Sequence, residues 1–217
     1  MRSLDAAGLW FSGPGLTAPG GSRRRRPALF LDRDGVLVVE TGYLHRPEEA
    51  ALLPGAADLL VWATARGWAS VIVTNQSGVG RGYYDWDAFA RTQARIEQLL
   101  AAEGARPDLL LACPYSAAGL GHYRAGQHPA RKPAPGMLLR GAEILNLDLS
   151  RSWIIGDRVG DLQAGKAAGL AGGLLVASGY GNDPKQEAAA LALASADYRA
   201  LRVLNGEQAR GLLSLLA

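Results

Sequence analysis

This chain of 217 residues is short of several residue types, with one cysteine, two methionines, three phenylalanines and three histidines. The lone Cys113 excludes an intramolecular disulfide framework and fits a reducing compartment, so a cytoplasmic location is expected. No apolar run approaches the ~20 residues that cross a bilayer, and no early basic region leads into an apolar stretch. Neither a membrane partner nor a secretory signal is expected. The pattern G-x-x-x-x-G-K-[ST] is absent, which excludes a P-loop nucleotide site, and "GVGRG" at 78–82 is too short a match for a dinucleotide fingerprint. A large charge imbalance is missing as well. The net charge is +3, and Arg23, Arg24, Arg25 and Arg26 alone bring four positive charges. No basic or aromatic pattern elsewhere marks a nucleic-acid groove, so this run reads as a solvated lead-in and no nucleic-acid partner is expected.

What is present is alternation. Residues 1–27, rich in Gly, Pro and Ser, read as an irregular N-terminal arm packed locally through Leu9, Trp10 and Phe11. Residues 28–217 are expected to form a single domain. Five short apolar runs, "ALFLD" (28–32), "ASVIVTN" (69–75), "DLLLAC" (108–113), "SWIIGD" (152–157) and "GGLLVAS" (172–178), have the unbroken hydrophobicity of parallel strands covered on both faces. Helical patterns separate them. "PGAADLLVWATARG" ends at Gly67, and the helix after Asp85 ends at Gly104, with Asp85 as N-cap. "PGMLLRGAEILNL" and "DLQAGKAAGL" supply two more. A surface helix is expected over 187–196 and a capping amphipathic stretch at the C-terminus. The order predicts an α/β fold, a doubly wound open parallel sheet of Rossmann-like type.

Ligands of such sheets sit beyond the carboxyl ends of the strands, and polar residues cluster there: "DRD", "TNQSG" and "GDRVGD", with "RKPAPG" before a helix. Asp32 and Asp34 stand at i and i+2, so on an extended backbone both point the same way and need a cation to offset their repulsion. With Asp157 they form a set of hard oxygen ligands suited to Mg²⁺. Thr74, Ser77 and the backbone around Asn75, Gln76 and Gly78 can face a phosphate, and Lys132 supplies the charge that a phosphoryl group needs in transfer. Asp32 is the better-placed nucleophile and Asp34 the better-placed proton donor to a leaving oxygen.

"LDRDGVL", "VTNQSG", "RKPAPGM" and "GDRVGD", in this order, resemble the haloacid dehalogenase superfamily of phosphatases, from about Pro27 to Ser178. The resemblance implies a capless phosphatase of a small phosphorylated substrate, with a heptose bisphosphate as the first expectation and histidinol phosphate as the second. It implies Asp32 as nucleophile and metal ligand, Asp34 as acid/base and as a metal ligand through its carbonyl, and Asp157 as the third ligand. Thr74 and Lys132 would stabilise the phosphoryl group. Glu40, Thr41, Gly42, Tyr43, Asn75, Gln76, Ser77, Arg131 and Arg158 would bind substrate. Members commonly carry structural zinc on a C-x-H and a C-x-C pair. The matching positions here are Cys113, Tyr115, His128 and Ala130, so zinc is not expected, with Cys113, His122 and His128 the only remnant. A monomer or weak oligomer is expected.

Overall fold

Residues alternate in which face of the central strand they serve. Ala28 and Phe30 pack to one side, Leu29 and Leu31 to the other, and all four are fully buried. The structure is a computed structural model and describes residues 2–4, 8–14 and 25–216. Its strands and helices are β1 (Arg2–Leu4), β2 (Trp10–Ser12), β3 (Ala28–Leu31), α1 (Ala56–Ala65), β4 (Ala69–Asn75), α2 (Ser77–Gly80), α3 (Trp86–Ala102), β5 (Leu109–Cys113), α4 (Gly136–Leu145), β6 (Trp153–Gly156), α5 (Val159–Ala167), β7 (Gly172–Val176), α6 (Pro184–Leu191), β8 (Arg199–Val203) and α7 (Gly206–Leu216). They form one sheet of order β1-β2-β5-β4-β3-β6-β7-β8. The six strands from β3 onward pair in parallel, as their continuous apolar runs imply. Helices α1, α3 and α7 bury their apolar residues on one face, and α4, α5 and α6 on the other.

Local chemistry explains the helix limits. Asp85 caps α3 by accepting from the Ala88 N–H at 2.8 Å, and Asp183 caps α6 by accepting from Lys185 N–H at 2.9 Å. Asn146 ends α4 in the left-handed conformation at φ 52°.

Two expectations need correction. The segment expected to be an irregular arm contributes β1 and β2, which extend the sheet antiparallel on β5, with Trp10 opposite Ala112. Three residues each, they are too short to show a period. Strand β8 was not expected, because Arg199 and Arg202 interrupt its apolar pattern at a sheet edge where one flank is solvated. Helix α7 packs on β7 and β8, as the amphipathic C-terminal stretch implies, and also lies against α1, with Trp62 Nε1 donating to Ser214 Oγ at 2.8 Å. Of the arginine run, Arg26 serves the fold. It pairs with Asp108 at 3.1 Å and its carbonyl accepts from Asp148 N–H. Arg23 and Arg24 lie outside the described residues.

The chain builds β3, β4 and β5 outward in one direction, then crosses back to place β6 on the other flank of β3. That reversal opens a crevice at the carboxyl ends of β3 and β6, where Asp32 and Asp157 follow directly.

Candidate active site

A cleft of about 490 Å³ opens at this reversal. Asp32, Asp34, Thr74, Gln76, Lys132 and Asp161 line its depth, and Glu40, Tyr43, Arg81, Arg131, Arg158 and Tyr180 stand around it. Gly42, Asn75 and Ser77 also line it. Thr41, expected among them, is exposed and does not; Asp157 lies buried beneath the lining, 1% exposed.

The charges are compensated pairwise. Lys132, 5% exposed, uses all three ammonium hydrogens, donating to Asp161 at 2.6 Å, Val73 O at 2.7 Å and Asp32 at 2.9 Å. Burial pulls its pKa down, but the carboxylates of Asp161 and Asp32 outweigh this and hold it above the ordinary lysine value. Asp34 does not share that partner. Its carboxylate is held by Arg33, through Nη2 at 2.9 Å and Nε at 3.1 Å, and by Gln76 Nε2 at 3.1 Å. Arg33 is completely buried, packs over the Phe89 ring and donates to Leu44 O at 3.1 Å. Gln76 also donates to Thr74 Oγ1 at 2.8 Å and accepts from Tyr84 OH at 2.6 Å, so Tyr84 fixes which way the amide faces. The two aspartates thus both reach the cleft while each keeps its own cation.

Three carboxylates converge on the floor. Oxygens of Asp32, Asp157 and Asp161 lie within 4.8 Å of one another. Asp157 Oδ2 accepts from Tyr180 N–H at 2.9 Å, whereas its Oδ1 is buried with no hydrogen-bond partner. Burial pushes the Asp157 carboxyl up to about 8, and repulsion from Asp32 and Asp161 adds to this. Asp161 is pushed up to about 6 by burial, pulled back by Lys132 and pushed again by Asp32. An orphaned buried oxygen among crowded carboxylates fits a hard divalent cation. The carboxylates that converge are those of Asp32, Asp157 and Asp161; the Asp34 carboxylate turns away to Arg33, and the resemblance gives Asp34 to the metal through its carbonyl instead. Asp161 was missed although "GDRVGD" contains it. Its Oδ2 also accepts from Arg158 N–H at 3.0 Å, closing the first turn of α5.

Two glycines shape the same floor. Gly35 (φ 81°) and Gly179 (φ 48°) approach Asp157 from different loops, and a Cβ on either would run into Asp157 Oδ2. Ser178 Oγ donates to Gly35 O and ties the two loops together.

The rim is basic. Arg158 lies over the Tyr180 ring at 3.4 Å, and Arg81 Nη1 donates to Tyr43 OH at 3.1 Å. Burial lowers the Arg131 pKa, and Arg81 and Arg158 are near enough to lower it further. Burial raises Glu40, opposed by the Gly42 N–H.

The sequence matches the haloacid dehalogenase-like hydrolase profile over residues 23–169 and a HAD-hydrolase-like profile over 129–210. The chain belongs to the haloacid dehalogenase-like hydrolase family. Among relatives in this family, the D-glycero-beta-D-manno-heptose-1,7-bisphosphate 7-phosphatase of Mesorhizobium japonicum is 50% identical over 150 residues, covering 69% of each chain. The D-glycero-alpha-D-manno-heptose-1,7-bisphosphate 7-phosphatase of Burkholderia mallei is 42% identical over 150 residues, 69% of this chain and 79% of that one. Among solved haloacid dehalogenase-like structures, the HAD-like protein of Mesorhizobium loti superposes with a TM-score of 0.83 at 38% identity, over 99% of this chain and 95% of that one. A D,D-heptose 1,7-bisphosphate phosphatase from B. bronchiseptica, solved with magnesium and phosphate, gives 0.73 at 29% identity, over 88% and 99%. This chain is an enzyme of the same haloacid dehalogenase-like family.

Proposed function

We propose that the chain is a Mg²⁺-dependent phosphomonoesterase that removes one phosphate from a heptose 1,7-bisphosphate. The observation that carries this reading is the joint presence, in one cleft, of two independently neutralised aspartates, a buried lysine and a rim of three arginines. One phosphate at the floor needs Lys132; Arg81, Arg131 and Arg158 are then free to meet a second anionic group, which a bisphosphate supplies and a monophosphate lacks. The relatives' names support the same substrate class.

Asp32 attacks phosphorus, and the bond from phosphorus to the sugar oxygen breaks. Asp34 passes a proton to that leaving oxygen, then takes one from the water that cleaves the aspartyl phosphate, which releases inorganic phosphate and restores both groups. Gln76 keeps Asp34 beside Thr74, and Thr74, which accepts from Gln76, retains its own proton to donate to the phosphoryl group. Lys132 stays tied to Asp32 and faces the transferred group with a fixed charge. Asp32, Asp157 and Asp161 would hold the Mg²⁺, with the Asp34 carbonyl as a further ligand. When bound, the ion neutralises charge on the phosphate oxygens and orients them.

A phosphate-release screen against heptose 1,7-bisphosphates of both anomers, sugar monophosphates and histidinol phosphate tests the reading. The bisphosphates are expected to give the highest kcat/KM by about tenfold or more, the scale of one well-placed charged contact. A preference for histidinol phosphate or a sugar monophosphate would refute it.

A further inference from the structure

Arg131 and Lys132 are delivered to the cleft by a connection of irregular shape, 114–130, whose one regular element is a single 3-10 turn at Gly121–Tyr123. Something must hold this connection in place. The zinc that the family resemblance implies does not fit the residues here. Structural zinc takes four ligands, and of the four matching positions only Cys113 and His128 carry a ligand atom, Tyr115 and Ala130 standing at the other two. One face of the His128 ring is covered by Tyr115, and its Nδ1 accepts from Ala130 N–H at 3.2 Å. Among the described residues, Cys113, His122 and His128 form no group whose ligand atoms converge.

A file of rings occupies the place instead. His128 lies flat on Tyr115, centroids 3.8 Å apart and planes 7° apart, which joins the two ends of the connection. Tyr123, at its middle, meets Tyr115 edge-on at 5.6 Å. The Tyr123 hydroxyl accepts from Trp86 Nε1 at 3.1 Å, at the start of α3. Trp86 lies parallel to Trp10 at 6.2 Å, and both meet Phe89 edge-on. Trp10 belongs to β2, whose partner β5 runs straight into the connection. Gly8, at φ 71°, lies so close to Tyr115 that a Cβ would strike its hydroxyl. Finally, the Tyr115 carbonyl accepts from Arg131 Nη1 at 2.9 Å, so wherever Tyr115 sits, Arg131 follows.

We propose that this aromatic clasp, not a metal, fixes the substrate-recognising connection, which makes Tyr115 and His128 positioning residues and gives the N-terminal segment Gly8–Ser12 a part in placing Arg131. The clasp is preorganised by ring packing and by strand pairing, both of which are complete before substrate arrives. It rests on Arg131 being a substrate contact, as the proposed function has it.

The test compares His128→Phe and Tyr115→Phe, which keep the ring planes, with His128→Ala and Tyr115→Leu, which remove them. Each is assayed on the best sugar phosphate and on p-nitrophenyl phosphate, with circular dichroism for folding and elemental analysis for zinc. The two Phe variants are expected to keep kcat/KM within about twofold of wild type, far inside the scale of a misplaced contact. The ring-deleted variants are expected to raise KM for the sugar phosphate by roughly tenfold or more, with kcat on p-nitrophenyl phosphate changed by no more than about threefold. Sub-stoichiometric zinc in the wild-type protein is expected. Loss of activity in His128→Phe, unchanged KM in both ring-deleted variants, or stoichiometric zinc would each overturn the proposal. If the ring-deleted variants do not fold, His128→Phe and the zinc content still decide it. Failure of the wild-type protein on sugar bisphosphates would bear on the substrate reading alone, because the variants can be compared on whichever phosphate is best.

Discussion

Replacing Lys132 by Met keeps the apolar stem and deletes the ammonium, which removes three hydrogen bonds and the partner of two buried carboxylates. Burial and its neighbours hold the Asp157 carboxyl up at about 8, so Lys132 is the cation that answers the Asp32 and Asp161 carboxylates. The substitution leaves both carboxylates without that partner, at 3–12% side-chain exposure. Breaking a buried ion pair from one side costs about 3–5 kcal/mol. For a chain of this size that lowers Tm by roughly 6–20 °C. Adding Asp161→Asn removes one of the stranded charges, so Lys132→Met/Asp161→Asn is expected to recover at least half of the lost stability. Activity should stay lost in both, by on the order of 10²–10³-fold, since the charge beside the transferred phosphoryl group is gone. Thermal melts without Mg²⁺, run as a double-mutant cycle, measure the coupling. A single variant that melts within about 2 °C of wild type, or a double variant less stable than the single, would refute the pairing described here.

Three further outcomes follow from the same floor. Asp32→Asn preserves shape and removes the attacking charge, so turnover should fall by about 10⁴-fold or more with the melting profile retained, and single-turnover assays will measure it. Mg²⁺ affinity should rise with pH: Asp157 holds its proton up to about pH 8, the ion must displace it, and calorimetric titrations should show affinity rising by about tenfold per pH unit between pH 6 and 8. The metal-free protein should lose stability over the range from the ordinary carboxylate value to about 8, because a raised carboxyl stabilises the fold only while protonated. An affinity flat across that range would count against the crowded-carboxylate account.

How much of this could be read in the sequence varies with how local the signal is. Strands β3 to β7 announce themselves as apolar runs because both faces are covered. Strand β8 does not, since its arginines face solvent or Glu187. Asp32, Asp34 and Lys132 sit in motifs beside strand ends and could be read directly. Asp161 sits in "GDRVGD" but also caps a helix, and only the fold reveals that Lys132 reaches it from a segment 29 positions earlier in the chain. Arg33 carries the reverse lesson. An arginine between two acids suggests a solvated residue, yet the turn after β3 sends it inward to Phe89 and Leu44. Tyr84 acts on Asp34 only through Gln76, a relation of three segments that no spacing encodes.

The close approach of Gly35 and Gly179 to Asp157 changes how a living site is to be told from a dead one. A chain could keep every acid and the lysine and still fail to gather its three carboxylates if either glycine gained a methyl group, because the added carbon would strike Asp157 Oδ2 and displace the whole carboxylate. Two hydrogen atoms, at positions with no chemistry of their own, are therefore as diagnostic of function as the nucleophile. They offer a sorting rule for the many sheets of this architecture whose acids alone look competent.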